Sequence, residues 1–208
     1  MNYSDQLACF IGGNFILGGQ VYGKKEYLEY GLDFAEWCAN GYRYTPAGVG
    51  PSYYSWNTSL LETKPFVNQT AYYEKAGYFI GDNDGFGNGQ RPEAVESWYY
   101  AYRATGKQYW RDVAWAYTLA QNRTERVESG MPGVGGWESV ENVLKRNGGG
   151  VDGMPMESYM LAETLKYQYL IQKEDVDVWD VFGGEGGTNE FVFTTEAHPF
   201  RVAAKKPV

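Results

Sequence analysis

The sequence is short of cysteine, of histidine, of positive charge and of long apolar runs. No stretch of its 208 residues approaches the roughly 20 uninterrupted apolar residues that a membrane-spanning helix needs. The apolar run from Cys9 to Leu17 holds two glycines and follows Asp5 rather than a basic segment, so it does not read as a signal peptide, and any targeting signal would lie upstream of Met1. Two cysteines, Cys9 and Cys38, are too few for a disulfide scaffold and have no metal-binding CxxC spacing. The one histidine, His198, cannot by itself supply a catalytic dyad. Eighteen Lys and Arg stand against 26 Asp and Glu, a net charge of −8. A surface of that sign has few cations with which to displace counterions from phosphates, which excludes nucleic acid as a natural partner.

Aromatic residues and glycine are plentiful: 19 Tyr, 10 Phe, 7 Trp and 27 Gly. Filling a core is the plainer role of any one ring; together with so many turns, the rings suit a carbohydrate cleft. Asn57-Thr-Ser, Asn68-Gln-Thr and Asn122-Arg-Thr are N-glycosylation acceptor patterns, and Asn2-Tyr-Ser is a fourth. They favour the secretory pathway: the lumen of the endoplasmic reticulum or Golgi, a vesicle, or the exterior. In such a compartment Cys9 and Cys38 can pair; two buried thiols are the alternative.

The length suits one domain with a sizeable core. Leu7, Phe10, Ile11, Asn14, Phe15 and Gly18, then Leu28, Leu32, Ala35 and Ala39, recur at helical spacing, which predicts helices over about 4–19 and 24–40 packed as an antiparallel pair. Residues 41–70 read as a long loop. Residues 71–82 begin helical, end in the apolar run Tyr78-Phe-Ile, and lead into a turn-rich stretch, Gly81 to Gly89. That stretch lacks the Glu of an EF-hand and the Lys of a phosphate loop and reads as a plain loop. Helices follow over 91–105, with Pro92 in its first turn, and 107–125. Residues 129–154 are Gly-rich, 156–171 form a helix with Tyr159, Met160, Glu163, Tyr167 and Leu170 along one side, and Glu190-Phe-Val-Phe-Thr-Thr reads as a strand.

Chemistry concentrates in three places. Glu93 and Glu96 project from one face at the start of a helix, just after Arg91; the combination serves acid/base work or cation binding, or lies on a solvated face. Glu163 interrupts an apolar stripe, where a carboxylate is costly without a partner. Thr194, Thr195, Glu196 and His198 cluster near the end of the chain.

Four segments taken in order resemble the class I α-1,2-mannosidases of glycoside hydrolase family 47. They are Leu7-Ala-Cys-Phe with Gly12-Gly13 and Leu17-Gly18; Arg91-Pro-Glu-Ala-Val-Glu-Ser; Met156-Glu-Ser-Tyr with Ala162-Glu-Thr-Leu-Lys-Tyr; and Phe193-Thr-Thr-Glu-Ala-His-Pro. Pro46-Ala-Gly-Val-Gly-Pro is similar to the loop before the family's next strand, and the spacing of Cys9 and Cys38 to that of its disulfide. The resemblance implies an all-α fold, a partial (α/α)7 toroid of helix hairpins with a C-terminal β-hairpin plug. It implies calcium-dependent, inverting removal of terminal α-1,2-linked mannose from high-mannose N-glycans. Glu93 matches the general base. Arg91, Glu96, Glu163 and Glu196 match residues lining the mannose and the waters of the ion, Tyr159 the ring beneath the sugar, and Thr195 the residue whose hydroxyl and carbonyl oxygens hold Ca2+.

Three departures stand out. Gln6 occupies the place of a family histidine, Gln90 that of an apolar residue, and Gly81 to Gly89 is altered or inserted. The family's general acid and a further catalytic aspartate lie in an N-terminal half that no segment here matches. The chain therefore reads as the C-terminal portion of a single catalytic domain, inactive alone, with its own missing half as partner and apolar surface left uncovered where that half would sit. A non-catalytic, lectin-like binder of mannose glycans is the second expectation, and a non-functional fragment the third.

Overall fold

The computed structural model describes residues 3–59, 68–81, 86–128, 135–151, 153, 156–174 and 191–202. Its elements are β1 (Tyr3–Asp5), a 3-10 turn (Gln6–Cys9), α1 (Phe10–Tyr22), α2 (Lys25–Arg43), β2 (Tyr53–Ser55), α3 (Thr70–Ala76), β3 (Phe79–Ile80), α4 (Glu93–Thr105), α5 (Gln108–Thr124), β4 (Arg126–Glu128), β5 (Gly135–Trp137), a π-helical turn (Met160–Thr164), α6 (Leu165–Gln172), β6 (Phe191–Phe193) and β7 (Pro199–Arg201). The architecture is all-α, a partial toroid of helix hairpins. Its three small antiparallel sheets are β1-β2-β3, β4-β5 and β6-β7.

α4 is the hub, packing against α1, α2, α5 and α6. Its sequence explains the position: Ala94, Val95, Ser97, Trp98, Tyr99, Tyr100 and Ala101 are all buried, so it has almost no solvent face beyond its first and last turns. Trp98 donates its indole N–H to the Ala35 carbonyl at 3.1 Å. Edge-on rings of Tyr42, Trp98 and Tyr117 interlock α2, α4 and α5 at centroid separations of 4.9, 4.7 and 6.2 Å. Gly106 ends α4 in the left-handed conformation, φ 63°, which glycine adopts without steric cost.

The first hairpin differs from the periodicity argument in which face is buried. Residues 4–5 pair with β2, Ser4 opposite Tyr54, rather than opening a helix. On α1 the buried residues are Gly12, Gly13, Ile16 and Gly19, whereas Leu7, Phe10 and Phe15 of the expected stripe are exposed. Small residues let two backbones approach: a Cβ on Gly31 of α2 would lie 2.7 Å from the Gly12 carbonyl oxygen. A disulfide between Cys9 and Cys38, Cα atoms 6.0 Å apart, closes this corner. Ser97 stitches α4 to it, accepting from the Gly13 N–H at 2.8 Å and donating to the Cys9 carbonyl at 2.5 Å.

The expected loop over 41–70 contains β2, and the Gly-rich stretch after α5 pairs β5 with β4. The helix expected from residue 156 becomes regular only at Leu165, after the π-helical turn. The C-terminal strand is one arm of a hairpin, Phe191 opposite Arg201 and Phe193 opposite Pro199. Asn2, Glu190 and residues 82–85 of the turn-rich stretch lie outside the described residues. No described helix is long and apolar enough to cross a membrane.

Candidate active site

Glu93 and Glu96, the two acidic residues of the Arg91 to Ser97 segment, open α4, where the unpaired N–H groups of a first helical turn favour negative charge. Glu93 is half-buried and its Oε2 atom is buried with no hydrogen-bond partner among the described residues. Burial raises its carboxyl to about 7, Asp5 adds to the rise, and the Arg91 guanidinium opposes it. Glu96 accepts from the Tyr167 hydroxyl at 3.2 Å. It is held at about 8, first by burial and then by the charges of Glu93 and Glu163, with Tyr167 opposing. Glu163 is buried and raised to about 7, by burial, then Glu196 and Glu93, with Lys166 opposing. Glu93, Glu96, Glu163 and Glu196 thus form one electrostatically linked group drawn from α4, the π-helical turn and the β6-β7 hairpin.

The backbone around this corner is pinned from two sides. Gln90 has a left-handed φ of 56°, uncommon for a residue with a side chain. Its N–H donates to Asn88 Oδ1 at 2.7 Å, its carbonyl accepts from Thr164 at 2.6 Å, and its side chain donates to Glu125 at 3.2 Å. Tyr159 donates its hydroxyl to the Gly89 carbonyl at 2.8 Å, and the Arg91 guanidinium lies 5.6 Å from the centre of its ring. The turn that carries Glu163 is therefore tied to the residues that precede Glu93. A single π-helical turn at this place fits the tendency of such widenings to occur at functional sites.

Thr195 and Glu196 are exposed in the turn between β6 and β7. The turn is closed by hydrogen bonds from Thr194 N–H to the His198 carbonyl at 3.0 Å and from Ala197 N–H to the Thr194 carbonyl at 2.9 Å. Ala197, buried and left-handed at φ 53°, accepts from Lys166 at 2.9 Å, which anchors the turn to α6. Gln6, where the resemblance expects histidine, is buried and its amide donates to the Tyr42 hydroxyl. Burial raises Tyr42, and the Glu93 charge raises it further, so the Gln6-Tyr42 pair belongs to the surroundings of Glu93.

Sequence reasoning missed Asp5, Tyr42 and the role of Tyr167. Asp5 directly precedes the Gln6-Leu-Ala-Cys segment, a usable signal; the other two are tyrosines at ordinary core spacing and carry none. Ser97, quoted within the same motif as Glu93, is structural.

A profile described as Glycosyl hydrolase family 47 matches residues 1–202. The chain belongs to glycosyl hydrolase family 47. This family 47 chain is 40% identical over 207 residues to a probable mannosyl-oligosaccharide alpha-1,2-mannosidase 1B of Aspergillus clavatus, covering 96% of this chain and 37% of that relative. It is 39% identical over 201 residues to the mannosyl-oligosaccharide alpha-1,2-mannosidase of Penicillium citrinum, covering 96% and 36%. Among solved structures it resembles the alpha-1,2-mannosidase from Trichoderma reesei, with a TM-score of 0.82, 38% identity, and coverage of 97% of this chain and 39% of that one. The chain thus spans well under half the length of the relatives it matches.

The donors at the site are all hard oxygens, from carboxylates and a threonine, the type that suits Ca2+. Among the described residues no three His, Cys, Asp or Glu side chains converge closely enough to chelate an ion. The described carboxylates thus suit a hard cation in kind but do not by themselves enclose one. Three carboxylates at about 7 to 8 mark where such a positive charge is favourable. Grooves against Trp37, Tyr109 and Tyr72 are lined by none of Glu93, Glu96, Glu163 and Glu196; chemistry rather than volume identifies the site.

Proposed function

We propose that this chain supplies the general base, the mannose-lining carboxylates and the calcium-holding turn of an inverting mannosyl-oligosaccharide 1,2-α-mannosidase acting on high-mannose N-glycans in the secretory pathway. The observation that carries the proposal is Glu93: a buried, unpartnered carboxylate oxygen on a group that titrates at about 7, close to neutral working conditions, as a general base requires. The free oxygen of Glu93 accepts a proton from water as that water attacks the anomeric carbon. The bond from that carbon to the leaving oxygen breaks in the same displacement, and no glycosyl-enzyme intermediate forms. The leaving oxygen takes its proton from a general acid. This chain has no counterpart of the family's general acid, so the acid must come from the rest of the catalytic domain, the missing N-terminal half.

Arg91, Glu96, Glu163 and Glu196 orient sugar hydroxyls and bound water, and Tyr159 lies beneath the ring. Ca2+ at Thr195 would bind vicinal hydroxyls of the terminal mannose and favour the distorted, oxocarbenium-like ring.

Titration with an α-1,2-linked mannose disaccharide in calcium and in chelator, with free mannose measured in parallel, tests this reading. Calcium-dependent binding without mannose release is expected. Absence of binding in calcium overturns the proposal. Release abolished by Glu93→Gln would show that the chain carries its own acid. Binding that persists undiminished in Glu93→Gln, and without release after the missing half is restored, would favour the non-catalytic glycan binder.

A further inference from the structure

Away from the carboxylates, a groove of about 490 Å³ is lined by Phe15, Tyr30, Asp33, Phe34, Trp37 and Trp56, a size typical of small-ligand sites. Trp56 stacks on Trp37 at a centroid separation of 5.5 Å and an interplanar angle of 17°. Phe34 and Tyr54 brace Trp37 at 5.3 and 4.8 Å, so the aromatic wall is fixed although Trp56 is 38% exposed and Tyr30 61% exposed. The residue after Trp56 is Asn57, the exposed acceptor of the Asn57-Thr58-Ser59 pattern. Its side-chain oxygen accepts from the Ser59 hydroxyl at 2.7 Å, and its N–H donates to Ser55 Oγ at 3.2 Å.

The other acceptors are built differently. At Asn122 the hydroxyl two residues on, Thr124, is buried and donates to the Ala120 carbonyl at 2.9 Å within α5. At Asn68 the intervening residue, Gln69, is buried and holds Ile80 through both side-chain atoms, at 3.0 and 2.6 Å. Asn122 and Asn68 also line aromatic grooves, with Trp115 and Trp137 and with Tyr44 and Tyr72; Asn57 differs in that its acceptor hydroxyl, Ser59, is bonded to the asparagine side chain itself and Trp56, the residue before it, is stacked on a second indole.

We propose that Asn57 is N-glycosylated and that the first sugars of its glycan pack into the Trp37-Trp56 groove. In the modification, Asn57 Nδ2 bonds to the anomeric carbon of an activated sugar pyrophosphate. The carbon–oxygen bond to the pyrophosphate breaks with its electron pair, and an amide proton passes to the transferase's base; nothing is oxidised or reduced. The exposed lining of the groove is almost wholly apolar, with Asp33 its one charged residue. Pyranose C–H faces match the rings, while hydroxyl and acetamido N–H groups can donate to the Asp33 carboxylate at the rim, which an apolar helix or acyl chain would bury unpaired. Covalent attachment beside Trp56 also raises the local concentration of the sugar far above that of any free glycan.

The chain is expressed behind a secretion leader in a eukaryotic host, and glycopeptide mapping gives occupancy at Asn57 and Asn122. Native release of each glycan by a glycosyl-asparagine amidase is then timed, and the acetamido methyl resonances are recorded by NMR. Asn57 is expected to be occupied, its glycan to be released about tenfold more slowly from the folded wild type than from Trp56→Ala, corresponding to about 1.4 kcal/mol of protection, and one acetamido methyl to shift upfield and lose that shift in Trp56→Ala. Trp56→Phe, which keeps a ring, should retain most of the protection. An unoccupied Asn57 overturns the proposal. So does an occupied site whose release rate and methyl resonance are the same in wild type and Trp56→Ala, or a methyl shift reproduced by adding free chitobiose to Asn57→Gln but missing from the glycosylated wild type.

Discussion

The body of α4 and its first turn are built on opposite terms. From Ser97 to Ala101 its side chains are buried and partnered: Trp98 on Ala35, Ser97 on Gly13 and Cys9, rings of Tyr42 and Tyr117 around the indole. One turn earlier, burial raises Glu93 to about 7 and Glu96 to about 8, and one oxygen of Glu93 has no described partner. A chain selected for stability alone would not bring Glu93 and Glu163 close enough to raise Glu96, and Glu93 and Glu196 close enough to raise Glu163, at the edge of a helix buried on nearly every side. The contrast assigns the stability of the fold to the α1-α2-α4 junction and its chemistry to the rim of that junction. It is checked by changing each region separately.

The largest effect on stability is expected at the disulfide. Replacing Cys9 and Cys38 with serine opens a cross-link between residues 29 apart in sequence, worth about 3–4 kcal/mol by the loop-entropy argument. Guanidinium unfolding should show a loss of that order, while the pH dependence set by the carboxylates persists. Gly31→Ala comes next. Alanine gains about 1 kcal/mol of helix propensity over glycine, but its Cβ would stand 2.7 Å from the Gly12 carbonyl oxygen and the Ile16 backbone nitrogen, and backbone atoms cannot rotate aside as a side chain can. Overpacking costs of about 1–3 kcal/mol then win, and the unfolding midpoint should fall by several degrees.

The rim responds to pH instead. Glu93, Glu96 and Glu163 titrate at about 7, 8 and 7 when folded, above the ordinary carboxylate value of about 4.3. The folded chain therefore binds more protons than the unfolded chain between those limits. By linkage, the stability from these groups is fully present below about 4.3 and is lost as pH rises through about 7 to 8. Melting in the absence of calcium should move to lower temperature between pH 5 and pH 8. Glu96→Gln should flatten the slope, and calcium should raise the melting point more at pH 8 than at pH 5. A calcium effect of equal size at both pH values would separate the ion from these carboxylates.

The two regions were not equally legible in the sequence. The helix expected over 91–105 followed from Pro92 and the capping Gly106, the one over 107–125 from apolar residues at helical spacing, and the cysteine pair from the family resemblance. The burial of α1 did not follow from spacing, because its contact face is made of Gly12, Gly13 and Gly19, whose contribution is the absence of a side chain. Within the site, Glu93, Glu96, Glu163 and Glu196 could be named from motifs, and the structure links their charges. The left-handed Gln90 and the π-helical turn that carries Glu163 were not legible. Both depend on hydrogen bonds from Thr164 and Tyr159 to residues about 70 positions away, which no local pattern encodes.

The smallest expected effect concerns two exposed apolar residues, Leu161 and Phe10, the second of which helical spacing assigned to a packed face. Phe10 is 43% exposed and Leu161 56% exposed, so replacing either with glutamine removes little buried area and leaves no cavity. Exposed substitutions usually change stability by less than about 0.5 kcal/mol, and Phe10→Gln and Leu161→Gln should melt within about 1–2 °C of the wild type. A loss several times larger, growing with protein concentration, would mean that this face is covered in solution by a second copy of the chain. Phe10 would then belong with the packed half of the contrast after all.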